Sequence, residues 1–238
     1  MNGWLHYGGG MELWREVYAP FNLVPFAGGS TGVQMAGWFK KEINSVDDLK
    51  GLKMRIPGLA GEVFQRLGGV PVTLPGGELF TALQTGSIDA TEWVGPYNDL
   101  TFGLYKAADY YYYPGWHEPG AMLEFIVNKD AWESLPPDLQ AIVTYATRAI
   151  NQDMLEEYTA RNNSALKELV DKHGVQLLKL PDDVVDALRI ASKQVIQETI
   201  AEDETAKKVY ESFQSFRADV MPYTAISEAA FLEIRGDD

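Results

Sequence analysis

Residues 52–94 decide the fold, and they read LKMRIPGLAGEVFQRLGGVPVTLPGGELFTALQTGSIDATEWV. Three short apolar runs in this stretch have the length of β-strands, at 53–56, 70–74 and 88–94. Two segments between them have helical patterns, at 59–67 and 77–84. Strands that alternate with helices predict an α/β fold whose sheet is largely parallel.

The same style of pattern extends outward on both sides. Upstream, the apolar runs 23–26 and 33–39 predict two more strands, and Ser45 with Asp48 forms a capping-box-like helix start. Downstream, 110–113 and 121–127 predict strands. Pro137 then opens a long helix in which Leu139, Ile142, Val143, Ala146 and Ile150 follow helical spacing. Gly174 ends it after on the order of 50 Å, enough to run across two lobes. Helices at 183–201 and 204–220 follow.

Charge and composition restrict the function. The chain has 238 residues, with 20 Lys and Arg against 34 Asp and Glu, and a formal charge of −14. Such a protein repels phosphate backbones, so nucleic acid is not expected as a partner. An anionic ligand would need local positive charge from an arginine, a bound cation, or both. The absence of cysteine excludes disulfides, thiolate metal sites and cysteine catalysis. No apolar stretch reaches the roughly 20 residues of a membrane span, and the N-terminus carries no secretory signal pattern.

Arg55 is the first candidate ligand-binding residue. It alternates with Met54 and Ile56 in the strand 53–56, so it points to the opposite face from these two apolar side chains. One interpretation is a solvated strand arginine. The other is a guanidinium that holds a carboxylate with two parallel hydrogen bonds. The strand alone leaves both open.

Two acidic residues lie beside rigid turns. Glu92 stands among apolar strand residues just before Gly95, where a buried acid should be paired or coordinating. Glu118 follows His117 in a second turn that ends at Pro119 and Gly120. Hard cations such as calcium take carboxylate, amide and backbone oxygens, and these residues supply such atoms. Sequence spacing by itself does not establish that they converge.

Several motifs together resemble one family. They are Val33-Gln34-Met35, Leu52 to Gly58, Pro75-Gly76-Gly77-Glu78, Ile88 to Trp93, and Tyr113-Pro114-Gly115-Trp116-His117-Glu118. In this order and spacing they resemble the solute receptors of tripartite ATP-independent periplasmic (TRAP) transporters, and among these the branch that binds 2-oxo acids and lactate. The resemblance covers nearly the whole chain.

The resemblance implies a two-lobe, periplasmic-binding-protein-like α/β fold with a long hinge helix. It places the remainder of the N-terminal lobe at 1–33, a second α/β lobe at 34–92 and a return to the first lobe at 93–120. A strand, the hinge helix and the C-terminal helices then fill 121–238. Family members carry a longer N-terminal part with a signal peptide, so the chain is expected to begin inside the first lobe and to lack the N-terminal part of that lobe.

The resemblance also implies a site. Arg55 would clamp the ligand carboxylate, and a metal ion would bridge ligand and protein. The positions that match the metal site are Gln34 through its side-chain oxygen, Glu92, Trp93 through its backbone carbonyl, and Glu118. A carboxylate at Glu118 favours calcium over sodium. Further residues expected to line the ligand pocket are Tyr97, Asn98 and Trp116.

The predicted function is therefore an extracytoplasmic receptor that delivers a small monocarboxylate, a 2-oxo or 2-hydroxy acid, to TRAP membrane permease subunits, with no catalysis. The expected compartment is the periplasm, and a homodimer is allowed. One alternative is a receptor for another organic anion, such as a dicarboxylate or a sugar acid. An alternative from another class is a metal-dependent hydrolase or lyase that uses Glu92, His117 and Glu118.

Overall fold

The computed structural model describes residues 1–235. Its helices are α1 (Asn2–Tyr7), α2 (Gly10–Tyr18), α3 (Gly58–Arg66), α4 (Leu79–Thr85), α5 (Pro96–Phe102), α6 (Lys129–Glu133), α7 (Pro137–Asp171), α8 (Asp182–Glu202), α9 (Glu204–Thr224) and α10 (Ala230–Arg235). Its strands are β1 (Leu23–Ser30), β2 (Gly37–Phe39), β3 (Lys53–Arg55), β4 (Val70–Val72), β5 (Ala90–Thr91), β6 (Tyr110–Tyr113), β7 (Met122–Asn128) and β8 (Gln176–Lys179). The predicted α/β class is confirmed. None of the helices within residues 1–235 combines the length and the hydropathy needed to cross a bilayer.

The chain divides into two compact units. The larger unit comprises Ala27–Glu124 and Ala141–Gln197, and the smaller comprises Met1–Phe26, Phe125–Gln140 and the described residues from Glu198 onward. The lobe boundaries expected near residues 33, 92 and 120 stay a prediction.

A six-stranded sheet forms the centre of the larger unit. Its strand order is β4-β3-β5-β2-β6-β8. Strands β4, β3 and β5 pair in parallel, as do β6 and β8, while β2 pairs antiparallel with both β5 and β6. Five strands therefore point the same way and β2 alone is reversed, which agrees with the predicted largely parallel sheet.

Apolar side chains cover both faces of this sheet. The neighbouring residues Tyr111 and Tyr112 are both fully buried, yet they belong to different core clusters. Tyr111 stacks on Trp38 with 4.0 Å between ring centroids, and Tyr112 meets Phe39 edge to face at 5.1 Å. Successive strand residues point to opposite faces, so the tyrosine run places its two buried rings in separate cores.

Four strands of this sheet are shorter than the sequence predicts, and the largest differences are at β2 and β5. Residues 33–36 of the predicted strand 33–39 lie outside β2, and the predicted strand 88–94 is reduced to β5. Gly37 has φ 129°, and a Cβ there would lie 2.5 Å from the Thr91 carbonyl oxygen. The close approach of β2 to β5 therefore needs glycine at 37, and the backbone leaves strand geometry on its N-terminal side.

The long helix α7 begins at the predicted proline and has 35 residues, about 52 Å at the usual rise per residue. Its residues up to Gln140 belong to the smaller unit, and its residues from Ala141 onward belong to the larger unit. The buried face differs from the predicted one, because Leu139, Ile142 and Ile150 are exposed. The α7 residues that are buried instead are Thr147, Asn151, Tyr158, Ala165 and Leu169.

In the smaller unit, the N-terminal helices pack on α9. Trp4 meets Phe213 edge to face, with 5.4 Å between ring centroids, and its indole Nε1 donates a hydrogen bond to Ser212 Oγ at 3.1 Å. Asp203 caps the start of α9, since its side chain accepts from the backbone N–H groups of Thr205 and Ala206.

Candidate functional site

Predicted site residues lie together at the carboxyl ends of the parallel strands of the six-stranded sheet. Arg55 ends β3, Glu92 follows β5, and the turn with His117 and Glu118 follows β6. These strands are parallel, so their carboxyl ends meet at the same edge. Gln34 precedes β2, which runs the opposite way, and so it reaches that edge too. Ligand sites of open α/β sheets lie outside the carboxyl ends of their strands.

Arg55 and Glu92 form a buried ion pair at this edge. The Arg55 Nη1 group donates to Glu92 Oε1, and the two side chains are 12% and 4% exposed. Arg55 Nε donates to the Leu74 carbonyl at 3.2 Å, and the guanidinium lies 5.4 Å from the centroid of the Trp93 ring. Arg55 is therefore not a solvated strand arginine. An arginine has five N–H donors, and these two bonds use two of them.

His117 and Glu118 stand beside the ion pair. One ligand atom from each of Glu92, His117 and Glu118 lies within 4.8 Å of the others. His117 Nε2 is 3.4 Å from Glu92 Oε2, and the imidazole is 3% exposed. Neither ring nitrogen of His117 has a hydrogen-bond partner among the described residues. Burial raises the pKa of Glu118; the Glu92 charge raises it further, whereas His117 and Arg55 lower it.

Gln34 contributes a buried oxygen without a partner. Gln34 is 5% exposed, and its Nε2 donates a hydrogen bond to Thr31 Oγ1 at 3.3 Å. This bond turns the amide so that Oε1 has no hydrogen-bond partner among residues 1–235. A Cβ on Gly115 would lie 2.1 Å from the Gln34 backbone oxygen. The turn after β6 therefore needs glycine at 115, where it passes the Gln34 backbone.

The Trp93 ring is part of the packing around Arg55. Its indole lies 4.8 Å from Phe102, and a Cβ on Gly76 would come within 2.5 Å of it. The indole Nε1 is buried without a hydrogen-bond partner in the described part of the chain. The ring thus shields the guanidinium from solvent, whereas the predicted role of Trp93 rests on its backbone carbonyl.

Asp99 anchors the turn that follows Glu92. It is 1% exposed and accepts four hydrogen bonds, from Trp38 Nε1 (2.9 Å), Tyr111 OH (2.8 Å) and the backbone N–H groups of Val94 (3.2 Å) and Gly95 (3.1 Å). Burial raises the pKa of Asp99 to about 6, although the four donated bonds oppose this shift. One carboxyl group thus joins two core aromatic residues to the backbone that carries Glu92 and Trp93.

Tyr97 and Asn98 connect this turn to α7. The Tyr97 backbone N–H donates to Asn162 Oδ1 at 3.0 Å, and its hydroxyl donates to Glu157 Oε1 at 3.2 Å. Tyr158 OH donates to Asn98 Oδ1 at 2.6 Å. These contacts hold the start of α5 against the long helix. The expected contact of both residues with a ligand stays a prediction.

Trp116 lies next to the acidic cluster. Its ring meets that of His117 edge to face, with 5.5 Å between centroids, and it packs against the core cluster that contains Val63 and Val195. It also lines a pocket together with His117. Trp116 thus lies beside His117 of the Glu92 cluster.

The acceptor set fits a hard cation. Two carboxylates, from Glu92 and Glu118, lie near each other, and the buried Gln34 oxygen lacks a donor. Oxygen ligands of this kind are the ones that calcium takes, and a buried acceptor without a partner is costly unless something else satisfies it. The imidazole of His117 would be a weaker ligand for such a cation, because its nitrogen is a softer donor.

Three participants were not predicted as site residues of a receptor. His117 was considered only for an enzyme, although its position between Trp116 and Glu118 is a usable signal. Thr31 turns the Gln34 amide, and Asp99 fixes the backbone after Trp93. The strand pattern gives no signal for either residue. Thr31 acts through one side-chain hydrogen bond from Gln34, and Asp99 acts through aromatic residues distant in sequence and through backbone N–H groups.

A guanidinium and several oxygen acceptors at the carboxyl edge of an α/β sheet are the parts of a protein that binds a small anion. A family model described as bacterial extracellular solute-binding protein, family 7 (DctP), matches residues 6–203, and the chain belongs to this family of TRAP solute-binding proteins. The resemblance stated from the motifs is thereby confirmed.

Individual relatives agree with this placement. A monocarboxylate 2-oxoacid-binding periplasmic protein of Nostoc sp. PCC 7120 is 47% identical over 228 residues, which cover 96% of this chain and 62% of that protein. A TRAP periplasmic solute-binding protein of Colwellia psychrerythraea, solved with calcium and pyruvate, matches with a TM-score of 0.94 and 46% identity. One of Pseudoalteromonas atlantica, solved with sodium and pyruvate, matches with the same TM-score and identity. Each match covers 98% of this chain and 71% of the solved chain.

The chain spans 62% of the length of the Nostoc relative. The predicted fold is confirmed by the solved structures within the part that they share with this chain.

Proposed function

We propose that this protein is the solute receptor of a TRAP transporter and binds a small monocarboxylate, a 2-oxo or 2-hydroxy acid, through the Arg55 guanidinium and a metal bridge. The observation that carries the proposal is the buried Arg55–Glu92 pair with the Glu118 carboxylate near it, together with the unpartnered Gln34 Oε1 of the segment before β2. A carboxylate satisfies the guanidinium and a cation satisfies the acceptors. A ligand with both a carboxylate and a neighbouring oxygen can join the two.

The clamp uses the donors that Arg55 has left. Its Nε and one Nη1 donor are engaged by Leu74 and Glu92, which fixes the plane of the guanidinium. The remaining donors are one N–H group on Nη1 and both on Nη2, and a pair of parallel bonds to a carboxylate would take one N–H from each of these two nitrogens. The bond to Glu92 therefore orients Arg55 for the ligand and need not be broken.

A cation is needed for charge balance. The formal charges of Arg55, Glu92 and Glu118 sum to −1, and a monocarboxylate would make the cluster −2. A calcium ion brings this total to zero, whereas sodium leaves it at −1. We expect Gln34 Oε1, Glu92, the Trp93 carbonyl and Glu118 to hold the ion, with calcium favoured over sodium. When bound, the ion supplies the positive field that a chain of charge −14 otherwise lacks.

The proposed receptor returns its ligand unchanged. The relatives described above are solute-binding proteins, and the Glu92, His117 and Glu118 cluster serves binding here. A hydrolase or lyase at this cluster would convert its substrate. NMR spectra of the acid recovered after prolonged incubation with the chain should match those of the acid added, and a new product signal that depends on Glu92 would favour the enzyme alternative.

Calorimetry tests the proposal. Pyruvate, lactate and longer 2-oxo acids are titrated into the folded chain with calcium, with sodium alone, and with a chelator. Binding is expected with calcium and should fall greatly on chelation. Glu92→Gln should weaken binding, whereas Glu62→Gln, an exposed acid on α3, is the matched control. If no acid binds to folded protein, or if chelation and Glu92→Gln both leave the affinity unchanged, the receptor with a metal bridge is ruled out.

The compartment and partners follow from the family. We propose that the protein acts in the periplasm, delivers its ligand to TRAP permease subunits and is able to form a homodimer. Light scattering at several protein concentrations measures the oligomeric state. Uptake of labelled acid into vesicles that contain the permease should depend on added receptor, and uptake at the same rate without it would contradict the delivery role.

The alternative ligands, dicarboxylates and sugar acids, carry a second charge or several hydroxyl groups. They are tested in the same titrations. A dicarboxylate that bound more tightly than every monocarboxylate would replace the monocarboxylate in the proposal while leaving the Arg55 clamp in place.

A further inference from the structure

The two oxygens of the buried Asp99 carboxyl group have different kinds of partner. Its Oδ2 accepts hydrogen bonds from two core side chains, Trp38 Nε1 at 2.9 Å and Tyr111 OH at 2.8 Å. Its Oδ1 accepts from the backbone N–H groups of Val94 at 3.2 Å and Gly95 at 3.1 Å. One oxygen thus holds the core and the other holds the backbone, so substitutions can separate the two roles.

The backbone N–H of Val94 belongs to the same peptide group as the carbonyl of Trp93. This peptide group is trans and planar, so its N–H and its C=O point in opposite directions. The hydrogen bond from Val94 N–H to Asp99 Oδ1 therefore sets the direction of the Trp93 carbonyl and turns its oxygen away from Asp99.

The carbonyl groups on either side of Trp93 are already engaged. The Glu92 carbonyl accepts from Thr91 Oγ1 at 2.9 Å, and the Val94 carbonyl accepts from the Met35 backbone N–H at 3.1 Å. The peptide group between them is the one that the buried carboxyl group holds. The backbone that carries the Trp93 carbonyl is therefore ordered before a ligand arrives, which lowers the entropy that binding has to overcome.

We propose that Asp99 is a positioning residue for the cation, and that it raises the calcium affinity of the site by orienting and polarising the Trp93 carbonyl. This inference rests on the proposed function, since it assumes that the Trp93 carbonyl is a cation ligand. A hydrogen bond to an ionised acceptor is stronger than one to a neutral acceptor. Hydrogen bonds in a chain polarise one another, so a carboxylate on the N–H side places more negative charge on the carbonyl oxygen.

Calcium titrations at pH 8, where Asp99 is ionised, test the proposal with two variants. Asp99→Asn keeps the size of the side chain and removes its charge, and its calcium affinity should fall about 10- to 100-fold, the usual effect of losing a group that orients a metal ligand. Tyr111→Phe removes a hydrogen bond at Oδ2 only and is the matched control. It should lower the free energy of unfolding and leave the calcium affinity close to that of wild type.

Infrared spectroscopy measures the carbonyl group directly. In protein made with tryptophan that carries ¹³C at its carbonyl carbon, saturating calcium should shift the Trp93 band to lower frequency. The band is assigned by its loss in labelled Trp93→Phe. The calcium-induced shift should be smaller in Asp99→Asn and unchanged in Tyr111→Phe. A role of Asp99 in stability alone would change none of these shifts.

The outcomes separate the two proposals. If wild type binds calcium and folded Asp99→Asn binds it as tightly, the positioning role is wrong while the receptor function stands. An equal loss of calcium affinity in Tyr111→Phe also overturns the positioning role, because loosening of the core would then explain both variants. Should Asp99→Asn fail to fold, Asp99→Ser is read in the same way, and a Trp93 band that calcium leaves unshifted in wild type overturns the inference without any variant. If wild type binds neither calcium nor acid, the proposed function fails and this inference fails with it.

Discussion

Replacement of Arg55 by methionine should affect folding and ligand binding through two different contacts. Methionine keeps an apolar stem of similar length and removes the guanidinium. Glu92, which is 4% exposed, would then keep its charge without the Arg55 partner. Breaking a buried pair on one side costs about 3–5 kcal/mol, against a total stability of about 5–15 kcal/mol for an ordinary domain. We therefore expect Arg55→Met to be clearly destabilised.

The binding effect has a separate origin. Each hydrogen bond between a guanidinium and a carboxylate contributes about 1.5–3 kcal/mol, so loss of the clamp should weaken pyruvate binding by about 10- to 150-fold or more. Arg55→Lys separates the two effects. Lysine keeps a positive charge for Glu92 but lacks the planar fork that holds a carboxylate with two bonds. It should therefore retain most of the stability and lose most of the affinity.

Urea denaturation followed by tryptophan fluorescence measures the free energy of unfolding, since the chain has six tryptophans. Calorimetry with pyruvate at saturating calcium measures the affinity. The double variant Arg55→Met/Glu92→Gln should recover part of the stability lost in Arg55→Met and none of the binding. Stability within about 1 kcal/mol of wild type in Arg55→Met, together with unchanged pyruvate affinity, would refute both the buried pair and the clamp.

Three further variants test the surroundings of the clamp. Gln34→Leu removes the unpaired Oε1 at similar volume and should weaken calcium binding about tenfold or more, measured by calcium titration; an unchanged affinity would exclude Gln34 as a ligand. Gly115→Ala brings a Cβ to 2.1 Å from the Gln34 oxygen and should lower both the melting temperature and the pyruvate affinity; a variant equal to wild type in both would contradict the close approach. Burial raises the pKa of Asp99 from 3.8 to about 6, so its protonated form stabilises the fold below about pH 4 and this contribution is lost as pH rises through 6. The difference in unfolding free energy between wild type and Asp99→Asn should change by about 2.4 kcal/mol between pH 4 and pH 7, and a constant difference would contradict the raised pKa.

The sequence predicted the elements of the larger unit well, because alternation and length are local properties. The helix at 59–67, the strand at 53–56 and the long helix from Pro137 are all present within a residue or so. Alternation along the strand also predicted that Arg55 points away from Met54 and Ile56, and the structure buries these two residues in one core cluster. The reversed direction of β2 did not follow, because strand direction depends on pairing partners far apart in the chain.

The buried face of α7 shows where a local pattern fails. Leu139, Ile142 and Ile150 have the spacing of a core stripe, yet they are exposed while Thr147 and Asn151 are buried. Hydrophobic spacing predicts that a helix has an apolar face, but which face is covered depends on the elements that pack against it. A helix that belongs to two units has different neighbours along its length.

The sequence predicted which residues belong to the site, but the distances between them depend on the fold. Glu92 was expected to be paired or coordinating, and its partner Arg55 lies 37 positions earlier in the chain. That pairing follows from the parallel register of β3 with β5, which sets Arg55 opposite Thr91. The roles of Asp99 and Thr31 could not be predicted, because Asp99 gathers four donors that the fold brings together and Thr31 acts through one side-chain hydrogen bond from Gln34.

The charge of the site implies an order of binding. Without a cation, the cluster of Arg55, Glu92 and Glu118 carries a formal charge of −1. Its net charge therefore repels a monocarboxylate, although the Arg55 guanidinium attracts it. At the proposed site, a cation would meet the Glu92 and Glu118 carboxylates and be attracted from the start. The ion should therefore bind first and the acid second. Linkage then requires that the acid tighten calcium binding by the same factor by which calcium tightens acid binding. A receptor built in this way holds its ligand only where the cation is abundant, and it makes the acidic surface of the protein compatible with an anionic cargo.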